Sequence, residues 1–206
     1  MQYFDPGFIA SLQASRDAGI APVYFFWVRA KNRATGADET MGLWSGDEDI
    51  TQNVQSPEGG VVSRIYLGGC NLSVADLVYV ADLTDNPVTV SLSQIAPATQ
   101  QLVRGYDVQM AYCEIHATSW VGGVFASVPQ LQWVGVIDAG PISTPAADGE
   151  GCIALTVRSE LMAQLIAVNP AKSSDSHQKR RQAGDRFSEY ASTVQARKVQ
   201  WYYKEQ

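Results

Sequence analysis

Four groups of side chains in this sequence have types that could do chemistry. Asp47, Glu48 and Asp49 stand in a row, and clustered carboxylate oxygens suit a hard cation such as calcium. The stretch lacks the alternating ligand spacing and the later bidentate Glu of an EF-hand. The expectation is therefore a solvated turn, or a contact for a basic segment. Paired carboxylates such as Asp47 and Asp49 could serve glycoside hydrolysis only beside a sugar cleft. Cys113 and His116 are three apart, which on a strand puts them on opposite faces, where they cannot share a metal. Asp175 and His177, beside several serines, could be drawn as a fragment of a hydrolytic triad. They sit in a polar stretch with no apolar residue larger than Ala, which leaves little to hold them in place. Lys179, Arg180 and Arg181 form the fourth group, followed by Asp185 and Arg186. Serine-hydrolase elbows, phosphate loops, zincin helices and kinase motifs are absent, and two histidines narrow the options for acid–base work. The reading is a chain with no catalytic group, no metal and no cofactor.

What these groups share is charge, and the charge is unevenly spread. The chain of 206 residues has a net charge of −6. From residue 171 onward, eight Lys and Arg face four acids, giving +4; the remainder has seven against seventeen, giving −10. Such asymmetry predicts head-to-tail association of like chains, or docking on an acidic partner. It argues against nucleic acid, because an acidic body repels phosphates. Hydrophobic residues make up 46% and charged ones only 17%, fewer charges than an isolated domain of average composition carries. Either neighbours cover much of the surface, or the domain is β-rich and dense in Ser, Thr, Gln and Gly. Three scattered cysteines are no disulfide framework and point to folding in a reducing compartment. The first residues, MQYFDPGF, show neither a basic nor an apolar leader region, so no signal peptide is expected. No apolar run is long enough to span a bilayer, so no membrane is expected as a partner.

The elements that must position these groups are mostly strands. A short helix is predicted over 8–18. Pro22 to Lys31 alternates Tyr24, Phe26 and Val28 with Val23, Phe25 and Trp27, so it is apolar on both faces. Such a strand is central, or is covered on its outer side by a helix or by a neighbouring subunit. A polar turn at Thr35-Gly36 makes it a hairpin with Met41 to Trp44. Further strands are predicted over 61–67, 74–80, 88–92, 106–118, 131–139 and 151–158. Helical turns are predicted over 97–103 and, capped by Ser159, over 160–168. The tail, 172–185, reads as a basic loop that leaves the body and returns as a closing strand over 197–203. The fold class is mainly β, a β-barrel or sandwich with a few short helices and an extended C-terminal arm. Residues 1–170 are the β-rich body with its N-terminal helix, and 171–206 the basic arm and closing strand.

Two features in this order resemble a known family. One is the Leu43-Trp44-Ser45-Gly46 turn that follows the aromatic strand. The other is the tail pattern: His177-Gln178, Arg180-Arg181, Gly184-Asp185-Arg186-Phe187 and Glu189-Tyr190, leading to Val199-Gln200-Trp201. Together they resemble the distal tail or baseplate-hub proteins at the tail tip of long-tailed, non-contractile bacteriophages and gene-transfer particles. The resemblance implies a virion protein of the tail tip. It implies a ring of six or three copies around the tail axis, joining the tail tube to other tail-tip proteins, without catalysis or cofactor. On that reading the acids of 47–49 and the basic run, with Asp185 and Arg186, are interface residues. An alternative is a β-sandwich module that binds a carbohydrate or receptor, with Trp120 and Trp133 stacking on sugar. A glycan hydrolase would need Asp47, Asp49 or His177 for turnover.

Overall fold

A computed structural model describes residues 4–16, 19–78, 84–140, 142–143, 151–160, 174–191, 193 and 196. The chain divides into two compact units, Met1–Ile166 and Ala167–Gln206. The first is mainly antiparallel β, in the manner of a sandwich rather than a closed barrel.

Its elements run α1 (Pro6–Ala14), β1 (Pro22–Asn32), β2 (Asp38–Trp44), β3 (Ile50–Gln55), β4 (Val61–Tyr66), β5 (Ser73–Ala75), β6 (Val88–Ser93), α2 (Pro97–Gly105), β7 (Tyr106–Val121), β8 (Val124–Phe125), β9 (Gln130–Ala139), β10 (Ile142–Ser143) and β11 (Cys152–Ser159). The main sheet has the order β2-β1-β7-β9-β11-β6-β5, with β8 on β7 and β10 on β11. β3 and β4 form a separate two-stranded ribbon.

The double alternation of β1 becomes two cores. Phe26 and Val28 join Leu43, Val90, Leu92, Cys113, Ile115, Ile137, Leu155 and Val157 in one cluster inside the curled sheet. Val23 and Phe25 point the other way, into a second cluster with Trp44, Val54 and Tyr66, against which Trp27 and Phe125 pack. The outer cover of β1 is thus the β3–β4 ribbon, not a helix or a neighbouring subunit. The missing piece was β3: Ile50 to Gln55 is mostly polar, and only Val54 is fully buried. The ribbon sits close because Gly42 leaves room. A Cβ there would stand 2.5 Å from the Ile65 carbonyl and 2.9 Å from the Trp27 ring.

After β4 the chain crosses from β2, one edge of the sheet, to β6, the strand beside the opposite edge β5. Leu67 forms an isolated bridge with Leu43, and the Trp44 amide donates to the Leu67 carbonyl. Three residues on, the Ser93 amide donates to the Cys70 carbonyl, at the far strand β6. This crossing segment touches the edge strand β2 and the penultimate strand β6 of a sheet whose own ladder stays open.

Smaller departures from expectation have local causes. α1 begins at Pro6 instead of Phe8, because the Asp5 carboxylate caps the Gly7 amide and Pro suits the first helical position. Its buried residue is Ser11, whose hydroxyl meets that of Ser119, while Ile9 stays exposed. β5 stops at Ala75, where Asp76 takes φ 62°. β7 does not keep Tyr106, Val108, Met110 and Tyr112 on one side. Its register against β1 shifts between Arg29 and Lys31, and Met110 at φ 60° is turned out to solvent. The expected helix beyond Glu160 and the closing strand over 197–203 lie outside the described residues.

In the second unit the basic run is not a loop. Asp175–Arg181 forms a helix, α3, whose N-cap is Ser174. The cause is legible: the Ser174 hydroxyl accepts from the His177 amide, Asp175 lies in the first turn, and Lys179, Arg180 and Arg181 lie in the last, where cations offset the helix dipole.

Candidate functional site

The acids expected at an interface stand together on the loop between β2 and β3. Asp47, Glu48 and Asp49 are all exposed. The loop is held by its backbone and by one carboxylate. Trp44 Nε1 donates to the Glu48 carbonyl at 2.6 Å, the Gly68 amide donates to Asp49 Oδ1 at 3.0 Å, and the Gly69 amide donates to the Gly46 carbonyl at 2.8 Å. The Trp44 ring folds back over Gly46, where a Cβ would collide with it. The Trp44-Ser45-Gly46 turn is therefore a clamp that presents three carboxylates. Among the described residues no three His, Cys, Asp or Glu side chains are grouped to hold a metal ion.

The same Trp44 leads to an apolar projection. Its ring lies 6.1 Å from that of Phe125, which meets Trp120 edge-on at 4.8 Å. Trp120 and Val121 at the end of β7 pair with Phe125 and Val124 of β8 across Gly122-Gly123. Both glycines have positive φ, 59° and 88°, as a two-residue hairpin turn requires. The tip is apolar yet exposed: Trp120 43%, Val121 41% and Val124 65%.

In the second unit Lys179 pairs with Asp175 at 2.8 Å, one helical turn away. Asp175 Oδ2 is thereby engaged, and among the described residues no hydrogen bond joins Asp175 to His177. Arg180 and Arg181 are exposed. Asp185 Oδ1 accepts from the Phe187 amide and shapes the turn after the helix, and Arg186 is exposed beside it. Phe187 is 90% and Tyr190 69% exposed. The structure thus gathers the three acids on one clamped loop, and the basic residues on and just after α3.

Sequence reasoning missed a buried charged cluster. Glu114 on β7 is 3% exposed and takes both hydrogen bonds of the Arg64 guanidinium, at 2.6 and 3.3 Å. Arg64 lies over the Trp27 ring at 4.6 Å, so the pair fastens β4 to β7 across the outer face of β1. The signal was present in the alternation of VVSRIYL, which puts Arg64 on the buried face with Val62 and Tyr66. His116, fully buried, has Nε2 2.8 Å from the Gln55 carbonyl. A carbonyl can only accept, so Nε2 carries the proton and Nδ1 is bare; Nδ1 has no partner. Burial lowers the His116 pKa to about 4, helped by the nearby Arg64 cation and only partly offset by the Gln55 carbonyl and Glu114. Burial pushes the Tyr66 phenol up to about 12 and the Cys113 thiol up as well.

Beside the pair opens a cavity of about 550 Å³, lined by Trp27, Arg29, Arg64, Tyr112, Glu114 and Glu160. Both Glu114 oxygens are committed to Arg64, and His116 lies outside the lining. The Arg64–Glu114 pair is a fastening between β4 and β7. A second cavity of about 580 Å³ flanks the β3–β4 turn and has an uncharged wall that includes Gln55, Ser56, Gln130, Gln132, Trp133 and Ser159. No helix among the described residues is long and apolar enough to cross a membrane. Comparison with known proteins finds no matching family model and no matching curated sequence.

Proposed function

We propose that this chain is a structural subunit of the tail tip of a long-tailed, non-contractile phage or gene-transfer particle. It forms a ring of six or three copies that joins the tail tube to the tip. The supporting observation is the pairing of opposed charged surfaces on a single chain. A hydrogen-bonded clamp displays Asp47, Glu48 and Asp49, while the end of α3 displays Arg180 and Arg181. A ring needs heterologous interfaces, in which one patch meets a different patch on the next copy. Charge sets register and order of addition, and apolar burial carries the affinity. The partners are copies of the chain and neighbouring tail proteins, with no cofactor, nucleic acid or membrane. The test is mass by light scattering at high protein concentration, with negative-stain images. Rings, or incorporation into a purified particle, are expected. The double variant Arg180→Glu/Arg181→Glu should block assembly while keeping the wild-type circular dichroism. A chain that stays monomeric and enters no particle refutes the reading.

The second cavity favours a different reading, a tail-tip module that binds a carbohydrate or surface receptor. Its wall combines a tryptophan with three glutamines and no charge, which suits neutral hydroxyls. Saturation-transfer NMR with bacterial surface oligosaccharides tests it. Transfer to sugar protons by a monomeric protein would favour this module over the ring.

A further inference from the structure

The β7–β8 hairpin and the acidic loop are joined through the Trp44 side chain. The link is a continuous run of contacts: Glu48 carbonyl to Trp44 indole, Trp44 ring to Phe125, and Phe125 to Trp120. The exposed apolar hairpin is thus joined, through Phe125 and the Trp44 ring, to the hydrogen-bonded loop that bears three carboxylates. The end of α3 and the stretch after it bring cations and aromatic groups together in a similarly short length. Arg180, Arg181 and Arg186 are exposed cations, and Phe187 and Tyr190 are aromatic side chains left in water. Aromatic groups exposed to this degree beside arginines are the composition of an interface core and its rim.

Resting on the ring reading above, we infer that the β7–β8 hairpin tip with its adjoining acidic loop is the seat for residues 180–190 of a second copy. Phe187 and Tyr190 lie against Val121 and Val124, and the arginines face the carboxylates. Charge complementarity selects a second copy as occupant: three carboxylates on the loop face a segment with Arg180, Arg181 and Arg186 against Asp185 and Glu189, within a tail of +4 and a body of −10. The size of the contact also fits. Two aromatic side chains bury roughly 300–500 Å² between them, below the ~1,200 Å² of a stable pairwise interface. Each contact is thus weak alone and gains from repetition around a closed ring.

The test uses the full chain with the exposed Cys152→Ser replacement; Cys70 and Cys113 are buried. One pool carries Val124→Cys, and a second, size-tagged pool carries Phe187→Cys. After mixing and treatment with a short bis-maleimide, a tagged–untagged product is expected in excess of either like–like product. It should be absent when Thr51→Cys, on the exposed outer face of β3, replaces Val124→Cys. In parallel, Val124→Ser and Phe187→Ser should each weaken self-association at least tenfold by sedimentation, with unchanged circular dichroism. If the chain assembles but neither serine variant weakens it and the cross-link equals the control, this inference falls and the ring reading stands. If a diluted chain carrying both cysteines cross-links only within itself, the occupant is its own tail and the inference falls. If the wild-type chain stays monomeric throughout, both fall.

Discussion

Arg64, Glu114 and His116 show how much one buried charge costs and what offsets it. Glu114 alone would be expelled from the space under the ribbon, and the bidentate Arg64 makes it tolerable. Replacing Glu114 with Gln leaves Arg64 unpaired at 12% side-chain exposure, and should cost about 3 kcal/mol in urea unfolding. The paired replacement Arg64→Met/Glu114→Leu should recover most of that loss, because two apolar groups of similar size need no partner. His116 makes a separate prediction. Its folded pKa of about 4 lies below the ordinary 6.5, so between these values the unfolded chain holds a proton that the folded chain refuses. Stability must then fall as pH drops from about 6.5 to about 4, by ~3 kcal/mol at most from this group. His116→Gln keeps a donor for the Gln55 carbonyl and should flatten that part of the stability–pH curve. At this scale the sequence was partly legible. That Cys113 and His116 face opposite ways followed from strand geometry, and Cys113 does join the inner core. That Glu114 between them was buried did not, because its partner lies 50 residues away on an element whose pairing strand was unrecognised.

At the scale of elements, alternation carried most of the information. β1, β6 and β11 bury the residues their period implies, and α2 begins at its proline as expected. β3 was hidden because a ribbon that lies over a sheet needs few apolar residues of its own; Thr51, Gln52 and Asn53 face water or its margin. Its attachment depends on the missing side chain at Gly42. The Gly42→Ala variant should be destabilised by about 2 kcal/mol, since the methyl group meets a backbone carbonyl that cannot yield without moving β4. Thermal unfolding of that variant, followed by near-UV circular dichroism of the Trp27, Trp44 and Tyr66 cluster, checks it. The basic tail was misread for a related reason. Ser174 as N-cap and Lys179 one turn after Asp175 are helix signals, but the absence of an apolar stripe made the stretch look like loop.

For the whole molecule, both hydrophobic clusters lie within the first 166 residues. A chain ending at Ile166 should therefore fold, with the aromatic circular dichroism of the full chain. Having lost the basic residues that follow, it should fail to self-associate at concentrations where the full chain does; sedimentation velocity on the two decides it. The uneven charge was plain in the sequence. The surface that gives it a local meaning was not, because the loop, Trp44, Phe125 and Trp120 come together only through the fold.

The crossing segment after β4 has a further consequence. By occupying hydrogen-bonding positions at Leu43 and Trp44 on the β2 rim, it denies an incoming polypeptide those backbone groups on which to extend the sheet. The rest of the β2 rim carries Asp38 and Glu39, which discourage such growth. Strand addition at the β2 rim is therefore disfavoured, and a contact made there must run through side chains.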